Sequence, residues 1–263
     1  MQTALTIAGS DSGGGAGLQA DLKTFAAHGV YGLTAVTAIT AQNSLGVTSV
    51  LPMPADLVTK QIDAVVSDFG AAATKIGMLA TADIVRAVAR AIGAHRLQLV
   101  VLDTVMVAKG GAHLLDDDAV SVMREALLPL ATVITPNVPE AERLTGRRIS
   151  SVAGMRDAAR ALISVGAQSV VVKGGHLDGP AVDVFDDGKT MTELAAERVP
   201  GRHTHGTGCT FSSAIAARLA LGDALLVAIE GAKTYVTHAI AHAPKLGHGH
   251  GPVQHFPNGP MTR

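Results

Sequence analysis

Along this chain, short apolar or β-branched runs alternate with longer stretches whose apolar residues recur at helical spacing. Residues 4–8 (ALTIA) read as a first strand. In residues 16–28, Leu18, Leu22 and Phe25 form a helical stripe, with Gly29 placed to end it. Residues 33–40 are rich in Val, Thr and Ile and predict a buried strand, and Val58, Ile62, Val65 and Phe69 mark the next helix. Residues 73–78 are strand-like, and Thr81 is suited to cap a helix carrying Ile84, Val85, Val88 and Ile92. Residues 97–105 give the most apolar strand, followed by a helix near 119–130. Further strands are predicted at 132–136 and 169–173, with a helix around 155–165 between them.

Strands that alternate with helices imply βαβ units, hence a mostly parallel sheet covered on both faces. The expected fold is therefore α/β: one three-layer domain over residues 1–263, with a central sheet flanked by helices. One interruption is predicted. Residues 181–199 read as a β-hairpin turning at Asp186-Asp187-Gly188. Two Ala-rich helices follow at 208–220 and 223–243, and residues 246–263 read as loop.

Composition narrows the class. The chain is 48% hydrophobic and 16% charged, with a net charge of −1, which argues against a nucleic-acid or anionic-membrane partner. Its one cysteine, Cys209, has no partner for an internal disulfide, and the N-terminus lacks the basic start of a signal peptide. A cytoplasmic protein is expected. Residues 24–55 lack Asp, Glu, Lys and Arg, but Gly29, Gly32, Gln42, Asn43, Gly46, Pro52 and Pro54 break them into strand and loop.

Two glycine-bracketed segments are candidates for chemistry. Gly9-Ser10-Asp11-Ser12-Gly13-Gly14-Gly15-Ala16-Gly17 joins the first strand to its helix, where backbone amides can approach a ligand or where a flexible turn is all that is needed. Gly15 to Ala20 matches G-x-G-x-x-A, yet no acid stands at residues 40–44 to hold a ribose, so the dinucleotide pattern fails. Gly188-Lys189-Thr190 fails the P-loop pattern, because Asp183 occupies the place of its first glycine.

The second segment, His205-Gly206-Thr207-Gly208-Cys209-Thr210, opens an Ala-rich helix. Gly206 and Gly208 let successive amides converge at a positive helix end, which suits a transferring phosphoryl group. A thiol in a first helical turn tends towards a lowered pKa, making Cys209 a candidate proton acceptor, while a small buried hydrophobe is the plain alternative. Lys173 ends a buried strand at the sheet's carboxyl edge, and Asp103 follows four apolar residues where a bare carboxylate would be costly.

With these segments placed, the sequence resembles a hydroxymethylpyrimidine/phosphomethylpyrimidine kinase of the ribokinase-like superfamily. The similarity runs through Ala8-Gly9-Ser10-Asp11-Ser12, residues 17–23, residues 37–43, Lys75-Ile76-Gly77-Met78-Leu79, Val101-Leu102-Asp103, Thr135-Pro136-Asn137, residues 172–176 and the His205 to Thr210 segment. The resemblance implies two ATP-dependent phosphorylations, first of 4-amino-5-hydroxymethyl-2-methylpyrimidine and then of its monophosphate. It places Gln42, Asp21, Gly9, Met78 and Val105 in the substrate pocket, and Lys173, Thr207 and Asn137 at ATP. Glu140 and Asp103 would handle Mg²⁺, and Cys209, Gly206, Gly208 and Lys173 would carry the transfer. It also implies a homodimer.

Each of these residues has a plainer alternative: Gln42 could close a turn, Asp21 could be a solvated charge, and Met78 could be core. His238 and His242 lack the Glu of a metalloprotease helix and are read as surface or core, and no role is assigned to His248, His250 and His255. Thr104 departs from the family, which usually carries proline there. A pyridoxal kinase of the same superfamily is the nearest rival, and a non-catalytic pyrimidine sensor is the alternative from another class.

Overall fold

The computed structural model describes residues 1–107, 111 and 114–256. The chain runs β1 (Thr3–Asp11), α1 (Gly17–Ala27), β2 (Tyr31–Asn43), β3 (Gly46–Pro52), α2 (Ala55–Phe69), β4 (Ala73–Ile76), α3 (Ala82–His95) and β5 (Val100–Leu102). It continues with α4 (Asp117–Val122), β6 (Val133–Ile134), α5 (Val138–Thr145), α6 (Val152–Ser164) and β7 (Val170–Lys173). The hairpin β8 (Ala181–Asp186) and β9 (Met191–Ala196) precedes α7 (Thr207–Ala220) and α8 (Leu225–Ala241).

The nine strands of the described residues form one sheet in the order β3-β2-β1-β4-β5-β6-β7-β8-β9. The run from β2 to β7 is parallel, and antiparallel β3, β8 and β9 extend its edges. The strand alternation sorts side chains between two cores. Leu5, Ile7, Ile76, Leu102 and Ile134 pack on one face with α2, α3, α5 and α6. Ala4, Ala73, Val101, Val133 and Val171 pack on the other beneath α7 and α8. Small residues on the second face let α7 lie close to the sheet, which brings its N-terminus to the strand ends. β1 has β2 on one side and β4 on the other, so the chain reverses its direction of travel around it. Such a switch point opens a crevice at the carboxyl ends of the strands.

The structure carries out most of the periodicity. Gly29 has φ +72° beyond the end of α1, the Thr81 hydroxyl accepts from the Ile84 amide, and Asp186-Asp187-Gly188 makes the hairpin turn. Three features differ. β3 is absent from the apolar pattern because it is an edge strand with mostly exposed side chains, paired through Ile39 and Leu51. Phe69 is 55% exposed and stacks on Tyr31 instead of closing the buried stripe of α2. Helix α5, only eight residues long, is too short to show a stripe. Of the segment read as a C-terminal loop, residues 257–263 lie outside the described residues.

Candidate active site

The strand ends and the N-terminus of α7 enclose a cleft of about 500 Å³. One lip is the turn after β1, organised by the Asp11 carboxylate. Its Oδ1 accepts from the Gly13 amide at 2.8 Å, and its Oδ2 accepts from Gly15 at 3.0 Å and Ala16 at 2.8 Å. Burial would raise the Asp11 pKa, but the bond from His205 and these amides hold it below the ordinary carboxylate value.

The other lip is the start of α7. Gly206, its N-cap, has φ +80°, and no side chain caps the amides that follow. A Cβ at Gly206 would stand 1.7 Å from the Gly15 carbonyl oxygen, so only glycine allows the two lips to touch. His205 closes the seam, its Nε2 lying 2.8 Å from Asp11 Oδ2. The two glycine segments therefore share one cleft, and the uncapped start of α7, lining it through Gly206, Thr207, Gly208 and Cys209, favours an anion there.

Gly9, Gln42, Met78 and Val105, all four expected in the substrate pocket, line the cleft. Met78 is 8% exposed, so it serves the core and the pocket wall together. Asp103, Lys173, Asn137, Glu140 and Thr207 line the cleft as well. Lys173 Nζ donates to Asp103 Oδ1 at 2.9 Å, and the Thr135 hydroxyl donates to the same oxygen at 3.3 Å. Burial works against the Lys173 ammonium, but Asp103 and Glu140 outweigh it and push its pKa up. Burial likewise would raise Asp103, which Lys173 and Lys75 instead hold down.

Asn137 caps α5, its side-chain oxygen accepting from the Glu140 amide at 2.9 Å, while Glu140 Oε2 accepts from the Asn137 amide at 2.8 Å. Thr104, the departure from the family's proline, donates its hydroxyl to that same Oε2 at 3.0 Å. Burial pushes the Glu140 pKa up to about 7, against Lys173 and with Asp103.

Two expectations are corrected. Asp21 does not reach the cleft. It is fully buried beneath it, paired with Lys75 at 2.9 Å, and accepts from the Thr6 and Ser213 hydroxyls at 2.6 Å each. The helical face of α1 that carries Asp21 turns to β4 and α7, away from both solvent and pocket.

Cys209 lines the cleft, but its thiol is not activated as the helix position alone suggests. Burial pushes it up to about 12; Lys75 opposes the rise, and Asp103 and Asp21 add to it. The helix end is outweighed by enclosure and two nearby carboxylates. Asp11 and His205 also line the cleft and were left unassigned by the sequence reading; their places within the two glycine segments were the available signal. His255, also unassigned, is buried, 3.1 Å from the Thr210 hydroxyl just inside α7.

Asp103 and Glu140 offer hard oxygen donors in the cleft, which suits Mg²⁺, a cation held by one or two carboxylates together with water and phosphate oxygens. Among the described residues no cluster of three or more His, Cys, Asp or Glu could hold a metal by itself. No helix among the described residues is long and apolar enough to cross a membrane.

A family model described as phosphomethylpyrimidine kinase matches residues 11–254. The hydroxymethylpyrimidine/phosphomethylpyrimidine kinase of Bacillus subtilis (strain 168) is 48% identical over 255 residues, covering 96% of this chain and 94% of that protein. The thiamine biosynthesis bifunctional protein ThiED of Geobacter sulfurreducens is 53% identical over 253 residues. The match covers 96% of this chain and 52% of that protein, so the chain spans about half the length of this relative. Among solved structures, an ADP complex of Bacillus subtilis pyridoxal kinase superposes with a TM-score of 0.91 at 45% identity, covering 97% of each chain.

Proposed function

This chain belongs to the phosphomethylpyrimidine kinase family, and we propose that it transfers the ATP γ-phosphoryl group to 4-amino-5-hydroxymethyl-2-methylpyrimidine and then to the resulting monophosphate, in thiamine biosynthesis. The observation that carries this reading is the contact between the two glycine segments, sealed by Asp11 and His205 and facing the Lys173–Asp103 pair across one cleft.

The Gly208 and Cys209 amides hold the transferring group, where the α7 dipole meets developing negative charge. Lys173 neutralises phosphate oxygens, and Asp103 keeps its ammonium charged and aimed. Gln42 hydrogen-bonds the ring, since an amide both donates and accepts. A bound Mg²⁺, held by Asp103 and Glu140, would supply further charge neutralisation at the phosphates. Cys209 enters the reaction as a neutral thiol and contributes its amide and its position. Phosphoryl transfer has a loose transition state, so placement and charge matter more than base strength.

The deciding experiment is mass spectrometry of the product after incubation with Mg-ATP and the hydroxymethylpyrimidine. One and then two added phosphates are expected; no added phosphate would sink the reading. A second reading, phosphorylation of pyridoxal-type alcohols, draws support from the pyridoxal kinase likeness, and turnover on both alcohols separates the two. Absence of ATP consumption with either would favour a non-catalytic sensor. A homodimer belongs to the same proposal. Ile39 and Leu51 pair across β2 and β3 while 51% and 63% exposed, and sedimentation of the protein tests it. A cytoplasmic setting is proposed with it, on the lone thiol.

A further inference from the structure

In the cleft, three side chains from distant parts of the chain meet: Asp11, Gln42 and His205. His205 Nε2 lies 2.8 Å from Asp11 Oδ2 and 3.3 Å from the side-chain amide of Gln42, whose nitrogen is the atom placed on that side. A single ring nitrogen either donates or accepts. Asp11 is a carboxylate already gathering the Gly13, Gly15 and Ala16 amides, so it can only accept. Nε2 of His205 therefore carries the hydrogen. A donor in that place repels an amide NH₂.

The far side of the Gln42 amide leads to the same result. The Thr40 hydroxyl donates its one hydrogen to the Ser10 carbonyl at 2.8 Å. Its oxygen is then left to accept, yet the Gln42 atom placed 3.2 Å away is the amide oxygen. Both contacts are mismatched in this orientation, and a half-turn of the amide satisfies both. The oxygen and nitrogen of an amide are assigned from just such a network.

We infer that the Asp11–His205 pair fixes the Gln42 amide with its oxygen towards His205 and its nitrogen towards Thr40, so that His205 is a specificity-determining positioning residue. This inference rests on the proposed substrate. The anchored amide keeps a second N–H and a second lone pair, side by side, for the ring. An aminopyrimidine offers the complement: a ring nitrogen that accepts, directly beside an exocyclic amine that donates. In a pyridoxal-type alcohol the ring nitrogen and the hydroxyl are separated by a methyl-bearing carbon and cannot meet both at once. His205 thereby biases the site towards the aminopyrimidine without touching it.

Two measurements test this. Long-range ¹H–¹⁵N NMR on imidazole-labelled protein reads the hydrogen on Nε2 of His205 directly, without substrate; a bare Nε2 overturns the inference. The second is the ratio of kcat/KM for the aminopyrimidine over the pyridoxal-type alcohol. His205→Leu removes the donor and should lower that ratio about tenfold, the worth of one hydrogen bond, with the loss in KM. His205→Gln restores an N–H near Nε2 and should bring the ratio back to within about threefold. A ratio unchanged in His205→Leu, or equally depressed in both variants, overturns the inference while leaving the kinase reading intact. If the wild-type protein phosphorylates neither alcohol, the proposed function falls, and the NMR measurement still decides the direction of the amide.

Discussion

The Lys173 ammonium stands 2.9 Å from Asp103 Oδ1, linking the carboxyl ends of β7 and β5 across the intervening β6. Neither group has much access to solvent, at 15% and 2% exposure. Losing one member of a buried pair strands the other charge, at about 3–5 kcal/mol. Lys173→Ala should lower the melting temperature and raise the KM for ATP. Adding Asp103→Asn should recover part of the stability and none of the ATP affinity. Recovery of both, measured by thermal denaturation and steady-state kinetics, would show that the lysine serves only its ion pair.

Cys209 gives a prediction of the opposite kind. With its thiol pushed up to about 12, it should react slowly with iodoacetamide at pH 8, gaining rate only in strongly alkaline solution. Cys209→Ala should reduce kcat and leave clearly measurable turnover. General-base catalysis is worth roughly 10²–10⁴-fold, so a loss near the upper end of that range would reinstate the thiol as the proton acceptor.

Beneath the cleft, Lys75 and Asp21 are each wholly buried. Lys75→Met alone should destabilise the protein by about 3–5 kcal/mol, because it removes the cationic partner of the wholly buried Asp21. Combining it with Asp21→Asn should return much of that stability in a urea titration. If Asp21→Asn instead raised the KM for the pyrimidine at unchanged stability, Asp21 would belong in the pocket after all.

The buried His255 makes stability depend on pH. Burial, with Lys23 and His205 nearby, lowers its pKa from 6.5 to about 4. The unfolded chain therefore binds this proton more readily than the folded one, so stability is whole above pH 6.5 and drains away as pH falls towards 4. Across that window the loss from this one group is about 3 kcal/mol. Urea midpoints at pH 7 and pH 5 should differ less in His255→Gln than in the wild type; an equal difference would fault this assignment.

What the sequence revealed, and what it concealed, follows from the range of the interactions involved. The parallel strands were legible because both their faces are covered, leaving continuous runs such as Val170 to Val172. β3 carries no such mark, since exposure removes the demand for apolar side chains. Lys173, Asp103 and the glycines of α7 were legible because each sits where a local element ends. Asp21 was misplaced because spacing along α1 does not say which neighbour its buried face meets. The Cys209 thiol followed its helix end in sequence terms, whereas Lys75, Asp103 and Asp21 act on it from other strands and helices.

The seam between Asp11 and His205 joins residues 194 positions apart. During synthesis, the first lip therefore waits for all of those intervening residues before its counterpart leaves the ribosome. Until then the cleft has one lip without the other, and a chain cut short of His205 lacks the seam between them.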